Sequence, residues 1–178
     1  MIWYAFLMTE EILDIVDDND NVIEVLTRRE VFARDIHNVR TINCFIKNSK
    51  GELWIPRRTA TKKTFPLALG ISCGGFVSSG ETYEDGFRRE IQEELSIDID
   101  AIPWKEIATL TPKKDGVGTF MKVYEILQDT VPDFNLDDFC EYYWLTPRDV
   151  LQEVSKDATE ANEKIQNDLP KLVKLLYL

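Results

Sequence analysis

Cysteines are few in this 178-residue chain, and the three that occur form no paired motif. Cys44, Cys73 and Cys140 are odd in number and far apart, which argues against a disulfide scaffold and against a CxxC-type metal site. This usage is typical of the reducing cytoplasm. Long apolar runs are also lacking. The apolar start at residues 1–8 is much shorter than the roughly 20 residues of a membrane helix; we interpret it as a packed terminal strand or as residues ahead of an alternative start at Met8.

Basic residues are in the minority, with 21 Lys and Arg against 32 Asp and Glu and a net charge of −11 at pH 7. An acidic surface argues against a nucleic-acid polymer or an anionic membrane as partner. The hydrophobic fraction of 44% is enough for a large core without disulfides or structural metals. We therefore expect a single soluble domain over residues 1–178. If this domain handles phosphates, bound cations or a local basic cluster must neutralise them.

Hydrophobic patterning predicts β-strands in the first half of the chain. Residues 13–16 and 22–26 flank an acidic turn and predict a hairpin within an N-terminal extension, 1–30. Residues 41–47 and 52–56 predict a second hairpin, because their β-branched and aromatic side chains suit strands.

A central helix is predicted to start after Thr82, with Asp85 as its capping-box partner. Its apolar face has helical spacing and consists of Tyr83, Phe87, Ile91 and Leu95. Later strands are predicted at about 102–111, 119–127 and 142–145. The closing helices, 147–178, begin at Pro147, and a segment over 160–176 should be kinked or split by Pro170. Hairpins, a central helix, more strands and closing helices indicate an α/β layered domain.

Three carboxylates share one side of the central helix. Glu90, Glu93 and Glu94 stand at i, i+3 and i+4, so they fall within an arc of about 100° and are expected to converge. Such a cluster is most easily explained if a divalent cation or an Arg neutralises it, and hard oxygen ligands favour Mg²⁺ or Mn²⁺. A solvated acidic face explains the same spacing, and helix geometry alone leaves both interpretations open.

The segment 74–97, GGFVSSGETYEDGFRREIQEELSI, resembles the signature of the Nudix hydrolase family. The matching positions are Gly75, Glu81, Arg89, Glu90, Ile91, Glu93, Glu94 and Ile97. Ser96 replaces the Gly with which the family ends this helix, so we expect a less tightly turned helix end. The resemblance implies a Nudix-type α/β/α sandwich with a mixed β-sheet. It also implies metal-dependent hydrolysis of a diphosphate linkage in a small nucleotide or other organic diphosphate.

The resemblance also implies roles for individual residues. The positions that bind Mg²⁺ or Mn²⁺ in the family fall on Glu90, Glu93, Glu94 and the carbonyl of Gly74. The catalytic positions fall on Glu90, Glu93 and Arg89. Glu90 is a candidate for the general base, although a Glu outside the motif can take that role in the family. The structural positions fall on Arg89, which would hold a neighbouring carboxylate, on Glu81, which would tie the loop to the helix, and on Gly75.

A second resemblance covers the N-terminal half, which is similar to isopentenyl-diphosphate isomerases and to the Nudix hydrolases most like them. It is carried by 16–20, 28–30, His37, 51–53, 57–58 and 62–63. An isomerase site needs several histidines, whereas this chain has one. Cys73 lies close to the position of the isomerase's catalytic cysteine, although a cysteine in this context is more often a small buried hydrophobe. An isomerase-like enzyme is thus the second hypothesis, and a non-catalytic nucleotide-binding domain is the third.

Four cations lie within seven residues of this acidic protein, at Arg57, Arg58, Lys62 and Lys63. Such a cluster suits a loop that binds substrate phosphates, and a solvated loop is the alternative. Arg57 and Arg58 are adjacent on a predicted strand and point to opposite faces, so at most one should reach the substrate. Asp137, Asp138 and Glu141 could supply a further carboxylate to the metal site, and a solvated acidic loop is the default interpretation. The apolar chain start could pair two copies, so a homodimer stays open.

Overall fold

The structure, a computed structural model, describes residues 10–62, 65–156 and 168–178. The predictions made for the chain start with Met8, for Lys63 and for the first part of the terminal helix lie outside these residues. No helix in the described ranges is long and apolar enough to cross a membrane. In chain order the elements are β1 Ile12–Val16, β2 Val22–Thr27, α1 Arg28–Ala33, β3 Arg40–Lys47, β4 Leu53–Arg58, β5 Cys73–Phe76, α2 Tyr83–Leu95, β6 Trp104–Leu110, α3 Pro112–Asp115, β7 Phe120–Leu127, β8 Phe139–Leu145, α4 Pro147–Lys156 and α5 Leu169–Tyr177.

Six strands form one mixed sheet in the order β6-β7-β3-β4-β8, with β5 paired to β3. Strand β3 runs parallel to β7 along its whole length, and the other pairs are antiparallel. The second edge of β3 carries two partners. Strand β5 pairs with residues 41–44, whereas β4 is paired only where Lys47 faces Leu53. The other edge of β5, which does not pair with β3, is therefore not paired with β4 in the described residues.

Helices cover both faces of the sheet. On one face α2 buries Phe87, Ile91 and Leu95 against side chains that include Ile42 and Ile46 of β3. On the other face α4 and α5 bury their apolar sides against a second cluster, which includes Phe45, Val123, Val150, Val154, Leu169 and Leu172. Alternate residues of β3 thus enter opposite cores, as the pleat of a strand requires. The predicted α/β/α sandwich with a mixed sheet is confirmed.

The N-terminal hairpin forms a separate two-stranded sheet, β1 with β2. Its turn is closed by Asp17, whose carboxylate accepts hydrogen bonds from the backbone N–H groups of Asn19 and Asn21 at 2.8 and 2.9 Å. Arg40 at the start of β3 fastens the hairpin to the main sheet, because its Nε donates to Asp20 at 2.7 Å. The hairpin therefore holds the short helix α1 beside the sheet.

Local capping signals predict the helix starts correctly. The Thr82 hydroxyl accepts from the N–H of Asp85, and the Asp85 carboxylate accepts from the N–H of Thr82. Thr146 and Asp149 make the corresponding side-chain contacts at the start of α4. Pro170 lies in the first turn of α5 and is tolerated there, because the first N–H groups of a helix have no intrahelical acceptor.

The end of α2 differs from the sequence expectation. Ser96 adopts a left-handed conformation, with φ 52° and ψ 30°, and its N–H donates to the carbonyl of Gln92. The helix end is therefore tightly turned although the usual Gly is missing, and the expectation of a looser end is wrong. The geometry is retained at a steric cost, because a Cβ crowds the backbone in this region.

Substituting Ser96→Gly should stabilise the fold by about 0.5–1 kcal/mol. Relief of a strain of roughly 1–2 kcal/mol is partly offset by the roughly 0.5–1 kcal/mol of extra entropy that Gly loses on folding. The melting temperature, followed by circular dichroism, should rise by about 2 °C. Ser49→Gly, in an exposed turn without positive φ, is the matched control and should give no gain. A lower melting temperature for Ser96→Gly than for this control would contradict the interpretation.

Candidate active site

A cavity of about 750 Å³ lies where α2 meets residues 74–76 of β5. Its walls come from distant parts of the chain: α2 supplies carboxylates, β5 supplies backbone, β4 and the following loop supply cations, and α1 supplies an Arg and an aromatic ring. The lining residues that matter most for chemistry are Arg28, Arg58, Lys62, Glu90, Glu93 and Glu94.

Arg89 organises the side of the cavity formed by α2. Its Nε and Nη2 donate to the two carboxylate oxygens of Glu81 at 2.9 and 3.0 Å, and Nη2 also donates to the carbonyl of Phe76 at 2.9 Å. Its Nη1 donates to Glu90 at 2.7 Å. Glu81 in turn accepts from the N–H of Ser78 at 3.0 Å, and the hydrogen bonds from Arg89 lower its pKa. Strand β5, the loop after it and α2 are thus joined through one guanidinium.

Glu90 lies in close contact with the backbone of β5. A Cβ built on Gly75 would stand 2.2 Å from the Glu90 carboxylate, so only Gly permits this approach. The side chain of Glu90 is 12% exposed. Burial raises the pKa of Glu90 to about 7, and the hydrogen bond from Arg89 opposes that rise. The ionised carboxylate is therefore incompletely compensated by protein groups.

Glu94 is the second buried carboxylate. It accepts hydrogen bonds from the N–H of Gly74, at 3.4 Å, and from the thiol of Cys73. Burial raises the pKa of Glu94 despite these donors. Burial also raises the pKa of the Cys73 thiol well above its usual value, which disfavours the thiolate that a nucleophilic cysteine needs.

Glu93 is more exposed than Glu90. Its side chain is 60% exposed, and one carboxylate oxygen lies 3.5 Å from Nη1 of Arg89. Within residues 10–62, 65–156 and 168–178, no three His, Cys, Asp or Glu side chains stand together as a ready-made metal site. All three carboxylates nevertheless line the cavity, and Nη1 of Arg89 contacts both Glu90 and Glu93. Their convergence on one metal ion stays a prediction.

Cations face these carboxylates across the cavity. Arg58 lines it, and burial lowers the pKa of Arg58 while the charge of Glu94 opposes that change. Lys62 lines it as well and forms an ion pair with Asp138. Arg57 instead donates to Glu141 at 3.2 Å and to the carbonyl of Leu67 at 2.8 Å, outside the lining. Strand alternation thus sends Arg58, and not its neighbour, towards the site.

Three further residues at the cavity escape simple sequence reasoning. Arg28 comes from α1, where only the docking of the N-terminal hairpin brings it close. Asn43 lies on β3 opposite Gly74, and a strand pattern alone does not single it out. Asp138, for which the sequence left open a site carboxylate or a solvated loop, is 9% exposed and lines the cavity. The acidic residues near position 138 were visible in the sequence, but the sequence alone does not distinguish a cavity carboxylate from a surface one.

The donor set suits a hard divalent cation. Glu90 and Glu94 are desolvated carboxylates beside a backbone with no side chain at Gly75, and both have raised pKa values. Oxygen donors of this kind match the preferences of Mg²⁺ and Mn²⁺. A bound cation would also neutralise charge that the protein leaves poorly compensated. The residues therefore fit a divalent ion.

Comparisons with known proteins agree with this geometry. The family model described as NUDIX domain matches residues 37–168. A Nudix hydrolase of Nostoc sp. is 47% identical over 167 residues, which cover 94% of this chain and 96% of that protein. A Nudix hydrolase of Deinococcus radiodurans is 42% identical over 170 residues, with 96% of both chains covered.

A solved structure supports the same assignment. The crystal structure of DR0079 from Deinococcus radiodurans superposes with a TM-score of 0.86 and 40% identity, covering 94% of this chain and all of that one. Nudix hydrolases generally use divalent metal ions, which agrees with the buried carboxylates. The chain belongs to the Nudix family and is a hydrolase that acts on diphosphate bonds.

Proposed function

We propose that this protein hydrolyses a diphosphate linkage in a small nucleotide or other organic diphosphate, with Mg²⁺ or Mn²⁺ as cofactor. One observation carries the proposal: the desolvated carboxylates Glu90 and Glu94 line the same cavity as the cations Arg58 and Lys62, whose charges act on Glu94. A diphosphate with its counter-cation has the complementary charges. We further propose a cytoplasmic location and leave open a homodimer.

The carboxylates of α2 would hold the metal. Glu90 and Glu94 are its principal ligands in this proposal, and Glu93 and the carbonyl of Gly74 complete the set. When bound, a divalent cation stabilises the charge that develops on the phosphoryl oxygens and lowers the pKa of the attacking water.

The remaining polar groups bind and orient. Arg58 and Lys62 would bind phosphate oxygens, since both line the cavity opposite the carboxylates. Glu90 is the proposed general base, and the hydrogen bond from Arg89 at 2.7 Å fixes the direction of its carboxylate. Arg89 thus acts as a positioning residue. Glu81 acts with it by holding the guanidinium from the other side.

The isomerase-like alternative is not favoured. His37, the single histidine of the sequence, has an exposed side chain 3.5 Å from Asp35. It is not among the cavity-lining residues of the described part of the chain. The non-catalytic alternative is not favoured either, because the motif carboxylates and Arg89 are all retained.

Substituting Glu94→Gln should lower kcat/KM for every active substrate by about 10²–10³-fold, the loss typical of removing one group that stabilises developing charge. The test is a metal-dependent hydrolysis screen over nucleoside diphosphates and triphosphates, sugar nucleotides, dinucleotides and isoprenoid diphosphates, with products identified. Glu84→Gln is the matched control, since Glu84 lies on the same helix and pairs with Arg88 outside the cavity. A folded Glu94→Gln variant that hydrolyses all substrates as fast as wild type would refute the proposed site.

Substituting Glu90→Gln should stabilise the metal-free protein at pH 8. The pKa of Glu90 is raised from 4.5 to about 7, so ionised Glu90 destabilises the folded state above pH 7, by up to roughly 3 kcal/mol. As the pH falls from about 7 towards 4.5, folded Glu90 becomes protonated and the advantage of Gln disappears. Unfolding in urea with a chelator present measures this effect.

Added Mg²⁺ should reverse the order at pH 8 by stabilising wild type more than Glu90→Gln, because binding to the native state raises its stability. Glu84→Gln should follow wild type with and without the ion. A Glu90→Gln variant that is less stable than wild type in chelator at pH 8 would show that this carboxylate is compensated by the protein itself.

A further inference from the structure

The cavity has an aromatic and cationic wall that the hydrolytic site does not use. We call Arg28, Phe32 and Phe76 the stacking wall. The guanidinium carbon of Arg28 lies 5.0 Å from the ring centre of Phe76 and 5.5 Å from that of Phe32. The two rings meet edge to face, with centres 6.1 Å apart and planes at 88°. All three residues line the cavity.

Phe32 is not needed to pack α1 against the protein. Val31, its neighbour, is 2% exposed and provides that contact, whereas Phe32 is 54% exposed. A single exposed aromatic ring has no meaning by itself. Here, however, the half-exposed ring lines a polar cavity, so a ligand in that cavity can contact it.

Arg28 is held in place before any ligand arrives. Its Nη1 forms an ion pair with Glu11 at 2.9 Å, and its backbone N–H donates to the carbonyl of Glu11 at 2.8 Å. With the rings on its sides, the guanidinium plane has little freedom to turn. A fixed planar cation next to an exposed ring is a preorganised surface for a flat, electron-rich group.

The stacking wall lies next to the groups that would bind the diphosphate. Phe76 directly follows Gly75, and its carbonyl accepts the hydrogen bond from Arg89. The charge of Arg28 also acts on Arg58 and Lys62, where it adds to burial in lowering their pKa values. A ligand whose phosphates lie between the cations and the carboxylates would therefore place its organic group near this wall.

We propose that Phe32 and Arg28 bind a planar aromatic ring of the substrate, so that nucleoside-type diphosphates are preferred over aliphatic ones. The inference rests on the proposed function, since it assigns the organic half of the same substrate. Stacking acts on the π-face that every base has, so the wall should discriminate weakly among bases. It should discriminate strongly against an isoprenoid chain, which has no such face.

Phe32→Leu tests the proposal, because Leu retains an apolar side chain but lacks the ring. For ADP, KM should rise about tenfold with kcat changed less than twofold, the size expected for loss of one base–aromatic stack. For isopentenyl diphosphate, KM should not change. Phe32→Trp should keep the wild-type ADP values. Ile23→Ala is the control and should behave as wild type. Ile23 is an exposed apolar residue of the N-terminal hairpin that does not line the cavity.

The preference is overturned if wild type hydrolyses isopentenyl diphosphate as efficiently as ADP, or if Phe32→Leu raises both KM values equally. If wild type hydrolyses no diphosphate, the proposed function fails while the stacking wall remains testable. Calorimetric titration with Mg²⁺ present then compares ADP with inorganic pyrophosphate. Tighter binding of ADP that is lost in Phe32→Leu supports the wall, and equal binding in both proteins refutes it.

Discussion

Arg89 donates hydrogen bonds to three groups that would otherwise lie apart: the Glu81 carboxylate, the carbonyl of Phe76 and the Glu90 carboxylate. The planar guanidinium makes this possible, because it offers several donors in fixed directions. Removing the guanidinium would take away the ion-pair partner of both Glu81 and Glu90 and leave Glu81 only the N–H of Ser78. The position of α2 relative to β5, and with it the shape of the cavity, therefore depends on this side chain.

The same arrangement explains how an acidic protein can bind phosphates. The net charge of −11 describes the whole surface, but the cavity places Arg28, Arg58 and Lys62 within reach of one another. Opposite them, Glu90 and Glu94 are desolvated and retain a need for positive charge. In the proposed site, this negative charge would bind the metal cofactor and so would not repel the substrate. Local placement, and not the overall balance, decides which anions the protein can accept.

Sequence patterns predicted the structural features that depend on residues close together in the chain. The Thr82 cap, the apolar face of α2 and both hairpins follow from spacing over a few positions, and the structure contains them. The exposure of Glu93 was not predicted, because helix spacing alone does not show how deeply each carboxylate is buried. The place of Arg28 at the cavity was not predicted, since it depends on the docking of the N-terminal hairpin. For Asp138, the choice between two interpretations needed its contact with Lys62, 76 residues away in the chain. Local secondary structure can thus be predicted from the sequence, whereas the composition of the site depends on tertiary packing.

The proposed hydrolytic groups and the proposed stacking wall lie on different segments, which Asp20 connects. Its carboxylate accepts from Nε of Arg40 at 2.7 Å and from the hydroxyl of Tyr83, the first residue of α2, at 3.0 Å. The hairpin that carries α1 is therefore tied to the helix that carries Glu90. Within the described residues, Arg89 donates to Glu81, Glu90, Glu93 and the carbonyl of Phe76 and not to the hairpin, so exchanging Phe32 should leave the carboxylate geometry intact. Changes in the stacking wall can thus alter which diphosphates bind while the hydrolytic groups keep their positions.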